Sequence, residues 1–253
     1  MQTYFLDIWI VESGKGTMSN VGDEISAPNA GWNFGGNVPK TFDSHVRRSV
    51  PLYKEGHDLT CRISDYFMGQ SSQLYDLGTS TGELLNQLAK RHQSPDQKFV
   101  GIDRENGMLE LARKKCGDDS RIRLELAEMS ELELEKSDMI VSYYTIQFIR
   151  PAFRQRVISQ IYESLNWGGA FLLFEKVRGP DARFQDILTG IYNDYKLEQG
   201  FSSEEVIAKA RSLKGVLEPF STQGNYDLLE RAGFKDYMTV MKYLCFEGIL
   251  AIK

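Results

Sequence analysis

From residue 73 onward the chain alternates between short apolar runs and stretches whose apolar residues recur at helical spacing. Residues 73–77 form an apolar run closed by Gly78-Thr79-Ser80-Thr81-Gly82, and leucines at 84, 85 and 88 then mark one face of a helix. The unit repeats. Residues 98–103 read as a strand and 108–115 as a helix, 122–129 and 138–146 read as strands, and 152–165 read as a helix with Val157, Ile158, Ile161 and Leu165 on one side. Asn166-Trp167-Gly168-Gly169 reads as a turn into a strand over 170–176. Such alternation predicts a parallel sheet with helices on both faces, because each parallel connection must cross over the sheet. Residues 181–232 read as wholly helical, opened in part by the capping-box pair Ser202 and Glu205 and closed by Gly233. The remaining residues split at Glu247-Gly248 into two β-rich runs that predict an antiparallel hairpin.

Before this alternation, residues 42–66 read as one or two short helices broken at Val50-Pro51, since the residue preceding proline is pushed out of the helical region. Residues 1–40, with Gly, Asn and Pro spread through them, read as an irregular segment. The expected organisation is that segment followed by a single domain over 41–253, with 181–232 as a helical cap over a site. The apolar stretch at 5–11 is interrupted by Asp7 and is too short to predict a membrane anchor.

Composition narrows the function classes. Thirty Lys and Arg against 35 Asp and Glu leave a net charge of −5, which argues against an unaided nucleic-acid-binding face. Cys61, Cys116 and Cys245 contain no CxxC pair, and His45, His57 and His92 are scattered. Neither a disulfide framework nor a metal site is expected, and a reducing cytoplasm is the natural compartment.

The chemistry concentrates at Asp76-Leu77-Gly78-Thr79-Ser80-Thr81-Gly82, a strand-to-helix junction. Ligands of open parallel sheets bind at the carboxyl ends of the strands, and glycine lets backbone approach them closely. Asp103 closes the second strand, where an acidic side chain accepts hydrogen bonds from both hydroxyls of a ribose. The loop lacks the Gly-Lys-Ser/Thr of a triphosphate site. Its GxxxG spacing departs from the GxGxxG of dinucleotide sites, so a ribose-bearing ligand without phosphate is the favoured reading over a plain glycine turn with Asp103 as a helix N-cap, and S-adenosylmethionine fits.

The motif, the acid closing strand two and the terminal hairpin together resemble the Rossmann-like class I methyltransferase fold: α/β, seven strands, mostly parallel, with a helical insertion. Over more of the chain, Ser26-Ala27-Pro28, Trp32-x-Phe34, Arg48-Ser49-Val50-Pro51-x-Tyr53, Thr145-Ile146-Gln147-Phe148 and Leu165-Asn166-x-Gly168-Gly169 resemble the bacterial carboxy-S-adenosylmethionine synthase family. That resemblance implies a homodimeric transferase that uses prephenate to carboxylate the methyl of S-adenosylmethionine. It implies cofactor contacts at Tyr53, Gly78, Thr79, Ser80, Asp103, Arg104, Glu128, Met129, Tyr143 and Arg211, beside Asp76 and Gly82 of the loop. Tyr53, Tyr143 and Arg211 are the catalytic candidates. Thr79 replaces the family's Cys, Glu128 its Asp and Tyr143 its Asn.

Arg211 next to a sulfonium is repulsive until an anion lies between them, and a carboxylate on the methyl carbon or an acidic acceptor supplies one. The alternative reading is an ordinary methyltransferase acting on a small anionic acceptor, with Tyr143 or Tyr144 orienting it or taking a proton. A non-catalytic cofactor-binding protein is the third.

Overall fold

The computed structural model describes residues 17–131 and 133–253. The apolar stretch at 5–11 lies outside the described residues. Two short strands, β1 (Ser19–Asn20) and β2 (Ser26–Ala27), pair antiparallel in a ladder of their own. The strands of the main sheet are β3 (Gln73–Leu77), β4 (Lys98–Asp103), β5 (Ile122–Leu126), β6 (Ser137–Tyr143), β7 (Leu165–Lys176), β8 (Asp236–Tyr243) and β9 (Phe246–Ile252). They lie in the order β5-β4-β3-β6-β7-β9-β8. The first five pair in parallel, and β9 runs antiparallel between β7 and β8. Every residue of β3 is buried, as expected for a central parallel strand covered on both faces.

The two helices before the sheet are α1 (Val38–Ser49) and α2 (Tyr53–Ser64), separated at Val50-Pro51 as expected. The layers on the sheet follow from the periodicity. On one side α3 (Glu83–Arg91) buries Leu84, Leu85, Leu88 and Ala89. The helix after β4 is α4 (Asn106–Cys116). On the other side, α5 (Pro151–Ser164) buries Val157, Ile158 and Ile161 among Tyr75, Ile140, Phe171 and Phe234.

Four sequence expectations are corrected. The turn expected at Asn166–Gly169 is absorbed into β7, because Gly168 donates to the Lys253 carbonyl at 2.8 Å and Lys253 donates back to Gly169 at 3.0 Å. The hairpin turns at Leu244-Cys245 rather than Glu247-Gly248, and Gly248 is a strand residue. A β-carbon there would come within 2.6 Å of the Phe174 ring, so the glycine marks close packing instead of a turn. Strand β6 stops at Tyr143, since Tyr144 takes a left-handed conformation (φ 59°) and residues 146–148 form a 3-10 turn.

The last correction concerns residues 19–38, which lie in the segment that the sequence pattern predicts to be irregular. They contain the β1–β2 ladder and bury Val21, Ile25, Ala27, Trp32 and Val38 against Met108. The insertion consists of α6 (Ala182–Glu198), α7 (Ser203–Ser212) and α8 (Thr222–Ala232). Helix α8 buries Leu228 and Leu229 in the α5 side of the core, so of the three helices in the insertion α6 and α7 face the cavity. The N-terminal segment clasps the end of α7: Ala30 donates to the Arg211 carbonyl at 3.0 Å and Trp32 to the Ser212 carbonyl at 3.1 Å.

Candidate functional site

At the carboxyl ends of β3, β4, β6 and β7 lies a cavity of about 600 Å³, covered by α6, α7 and the N-terminal segment. Its floor is the loop after β3. Gly78 and Thr79 both donate to the Ile102 carbonyl, at 2.8 and 2.9 Å, which folds the loop over the end of β4. Gly78 has φ +79°, and a β-carbon would fall 2.3 Å from the Thr145 side chain, so only glycine fits this position. The Ser80 amide donates to Asp103 Oδ2 at 2.9 Å, and the Glu105 amide donates to Oδ1 at 2.9 Å. These two bonds fix the Asp103 carboxylate and leave each oxygen a lone pair for ligand hydroxyls.

Asp76 lies beneath the loop, 2 % exposed, and accepts from Thr79 Oγ1 at 2.7 Å. Burial, with the nearby Asp103 charge adding to it, pushes the Asp76 pKa up to about 7. A cationic ligand in the cavity stabilises the ionised form of both acids. Gly82, which opens α3, supports the loop from behind. Helix α1 braces the same loop, because Thr81 Oγ1 donates to Asp43 at 2.6 Å and Lys115 bonds both Asp43 and Glu83 at 2.8 Å. Arg104, Glu128 and Met129 line the rim, the first two linked at 3.8 Å.

Tyr53, Tyr143 and Tyr144 form an aromatic wall with His57. Ring centroids are 5.1 Å apart for Tyr53 and Tyr143, 4.9 Å for Tyr143 and Tyr144, and 4.6 Å for His57 and Tyr143. Tyr143 donates its hydroxyl to the Tyr53 carbonyl at 2.7 Å, and burial raises the pKa of all three phenols. Tyr143 therefore has its proton committed to the first turn of α2, which suits a positioning task and not proton abstraction. Its bulk in place of the family's asparagine is accommodated by Gly56, whose missing β-carbon would lie 2.1 Å from the Tyr143 hydroxyl.

His57 is 4 % exposed, and burial lowers its pKa from 6.5 to about 4. The neutral ring is the packed form, so its contribution is complete above pH 6.5 and is lost as pH falls from 6.5 towards 4. Thermal melts of wild type and His57→Phe should show the wild-type advantage shrinking over that window by up to about 3 kcal/mol. A gap independent of pH would show that His57 has the same pKa folded and unfolded, so that burial does not lower it.

Arg211 is the one catalytic candidate that the structure does not bring to the cavity. It is exposed on α7, and the cavity face of that helix and the loop after it carries Lys209, Ala210, Leu213 and Lys214. The physical cause is the helical period: Arg211 is two positions from both Lys209 and Leu213, which turns it away from the face they share. The positive charge comes instead from lysines that the sequence pattern does not single out. Lys176 at the end of β7, Lys196 on α6 and Lys209 on α7 all line the cavity. Burial lowers the pKa of each, that of Lys196 to about 7. Nothing local in the sequence separates these cavity-lining lysines, of which Lys196 is buried and Lys176 and Lys209 half-buried, from the solvated ones. Among the described residues, no group of three or more His, Cys, Asp or Glu is arranged to hold a metal.

Residues 74–169 match the family described as a methyltransferase domain. The chain is 38 % identical to a carboxy-S-adenosyl-L-methionine synthase from Staphylococcus epidermidis, over 84 % of this chain and 92 % of that protein. It is 36 % identical to one of the same name from Campylobacter lari, over 87 % and 94 %. Among solved structures, an O-methyltransferase family protein from Burkholderia thailandensis superposes with a TM-score of 0.62 at 16 % identity, covering 85 % of this chain. This chain spans 59 % of that longer one, and the likeness concerns the fold. The chain belongs to the carboxy-S-adenosyl-L-methionine synthase family of S-adenosylmethionine-dependent transferase enzymes.

Proposed function

We propose that this enzyme moves a carboxyl group from a small organic acid, prephenate, to the methyl carbon of S-adenosylmethionine. The ring carbon–carboxyl bond of prephenate breaks to release carbon dioxide, and the electron pair left on the ring expels the ring hydroxyl as hydroxide to give phenylpyruvate. The hydroxide takes the methyl proton as water, and the methyl carbon bonds the carbon dioxide. The observation that carries this reading is the opposite charge of the cavity's two ends. Asp76 and Asp103 lie at the loop end, while Lys176, Lys196 and Lys209 lie under the cover. The residues present suit the nucleoside ligand: the fixed Asp103 carboxylate offers acceptors to a ribose, and the left-handed Gly78 leaves room for close backbone approach. Bound there, S-adenosylmethionine supplies a sulfonium that acidifies its methyl group.

The chain's residues then hold and shield. Of the cavity-lining residues, Arg104, Glu128 and Met129 would border the base, Ser80 and Thr79 the loop side, and Tyr53 and Tyr144 the sulfonium end. The aromatic wall and the α6–α7 cover exclude water from the reacting carbon, which protects a strongly basic carbon centre from quenching. Tyr143 keeps Tyr53 in place through the bond to its carbonyl.

The reading includes a cytoplasmic homodimer. Phe184, Ile187 and Ile191 on α6 and Ile207 on α7 are exposed apolar residues, the surface a second copy would cover. Arg211 lies one turn from Ile207 on α7, so any contact it makes to a ligand carboxylate comes across that interface. Native mass spectrometry of protein purified from cells tests both statements. The expected result is a dimer whose ligand is heavier than S-adenosylmethionine by one carbon dioxide. Recovery of only S-adenosylmethionine or its thioether product would favour plain methyl transfer to an anionic acceptor, and a monomer would remove the dimer.

A further inference from the structure

Tyr192 of α6 carries two ammonium groups: Lys176 Nζ is 4.2 Å from its ring centroid and Lys196 Nζ 4.6 Å. Lys176 also lies 5.8 Å from the Phe246 ring. Lys196 is 7 % exposed. Among the described residues neither lysine makes an ion pair, whereas Asp76, Asp103, Arg104 and Glu128 at the loop end each have an oppositely charged or hydrogen-bonding partner. Buried cations without a counter-ion are costly, and a fold retains them where a ligand supplies the missing charge.

The position of the pair relative to the sulfonium end follows from ring contacts. Tyr144 meets Phe246 at 5.8 Å, and Phe246 meets Tyr192 at 5.2 Å. The lysines therefore stand one aromatic layer beyond Tyr144, in the same water-poor cavity. A sulfonium beside Tyr144 would feel their repulsion; for a unit-charge pair about 10 Å apart at an effective dielectric of about 20, the effect on affinity is on the order of tenfold.

We propose that Lys176 and Lys196 form the carboxylate subsite for the acidic second substrate, and that this subsite makes sulfonium binding depend on the acid. The inference rests on the reading above for the existence of an acidic partner, and it adds the residues and the order they impose. With the subsite empty the protonated forms of the two lysines repel S-adenosylmethionine. With a carboxylate in place their charge is cancelled, and the cofactor and acid strengthen each other's binding by the same factor, as linkage requires. The thioether product carries no sulfonium charge and escapes the repulsion. The apolar flank of the subsite, Tyr144, Tyr192, Phe246 and Leu188, suits an acid with a flat, unsaturated frame.

Titration calorimetry of the full chain tests this with benzylmalonate, an aromatic dicarboxylate with no carboxyl group poised to leave. The expected result is that benzylmalonate tightens S-adenosylmethionine binding about tenfold and changes thioether binding by less than about twofold. Lys176→Met and Lys196→Met should bind S-adenosylmethionine more tightly than wild type without the acid, lose the coupling, and melt no lower than wild type. Lys196→Gln provides a second neutral variant with the same expected loss. Equal S-adenosylmethionine affinity with and without benzylmalonate in wild type would overturn the proposal, and so would undiminished coupling in the lysine variants. If coupling is present but the ligand purified from cells carries no added carboxyl, the subsite stands and the carboxylation reading fails. If the ligand is carboxylated but coupling is absent, the carboxylation reading stands and the subsite fails.

Discussion

Asp103→Ala is expected to weaken binding of S-adenosylmethionine and its thioether product by about 100-fold, roughly 2.7 kcal/mol. Two effects combine. The carboxylate is the only acid held in the cavity by two backbone amides among the described loop residues, and hydrogen bonds from ribose hydroxyls to a charged acceptor contribute about 1.5–3 kcal/mol. Its removal also frees the Ser80 amide, so the loop loses one of its bonds to the end of β4 and keeps those from Gly78 and Thr79 to the Ile102 carbonyl. A 2′-deoxy form of the thioether separates the two. It should bind wild type more weakly than the parent compound, yet lose little further affinity in the variant beyond the loop effect. Calorimetry that finds the parent compound bound equally well by both proteins would exclude Asp103 from the nucleoside site.

Gly56→Ala is expected to cost about 3 kcal/mol of stability, from overpacking together with loss of the Tyr143 hydrogen bond. In a chain of this size that lowers the melting temperature by about 5–10 °C. The added carbon would sit 2.1 Å from the Tyr143 hydroxyl and 3.2 Å from Phe174, whose ring is fully buried. Either α2 lifts from the sheet or Tyr143 gives up its bond to the Tyr53 carbonyl, and in both cases Tyr53 moves at the cavity wall. The double variant Gly56→Ala/Tyr143→Phe removes the clashing oxygen. It should recover much of the loss, giving a coupling energy above about 1 kcal/mol in a double-mutant cycle. Additive effects of the two substitutions would mean that the glycine and the phenol are independent.

The nucleoside end of the site is legible in the sequence because it is built from neighbours in the chain. Asp76 through Gly82 form one turn, and Asp103 closes the adjacent strand, so a strand-turn-helix pattern and one acidic position suffice to define them. The hairpin is legible as two β-rich runs, yet its turn lies a few residues from where the pattern puts it, because the role of Gly248 depends on Phe174 across the β7–β9 ladder. Arg211 is a cavity residue by family resemblance alone. Resemblance names a residue without saying which face of its helix it occupies.

The alternation of apolar periods along the chain determined by itself the parallel sheet, the layers of helices and the glycine loop after β3. These features rest on backbone hydrogen bonding and on interactions within a few residues, which local sequence encodes directly. Only the tertiary structure decided the rest: that residues 19–38 are core and brace α7, that Tyr143 requires Gly56, and that Lys176, Lys196 and Lys209 converge under the cover. Each of these joins residues far apart in the chain. A lysine's cost and use depend on whether water or a ligand surrounds its charge, and that is settled by packing between elements, not by its neighbours in sequence.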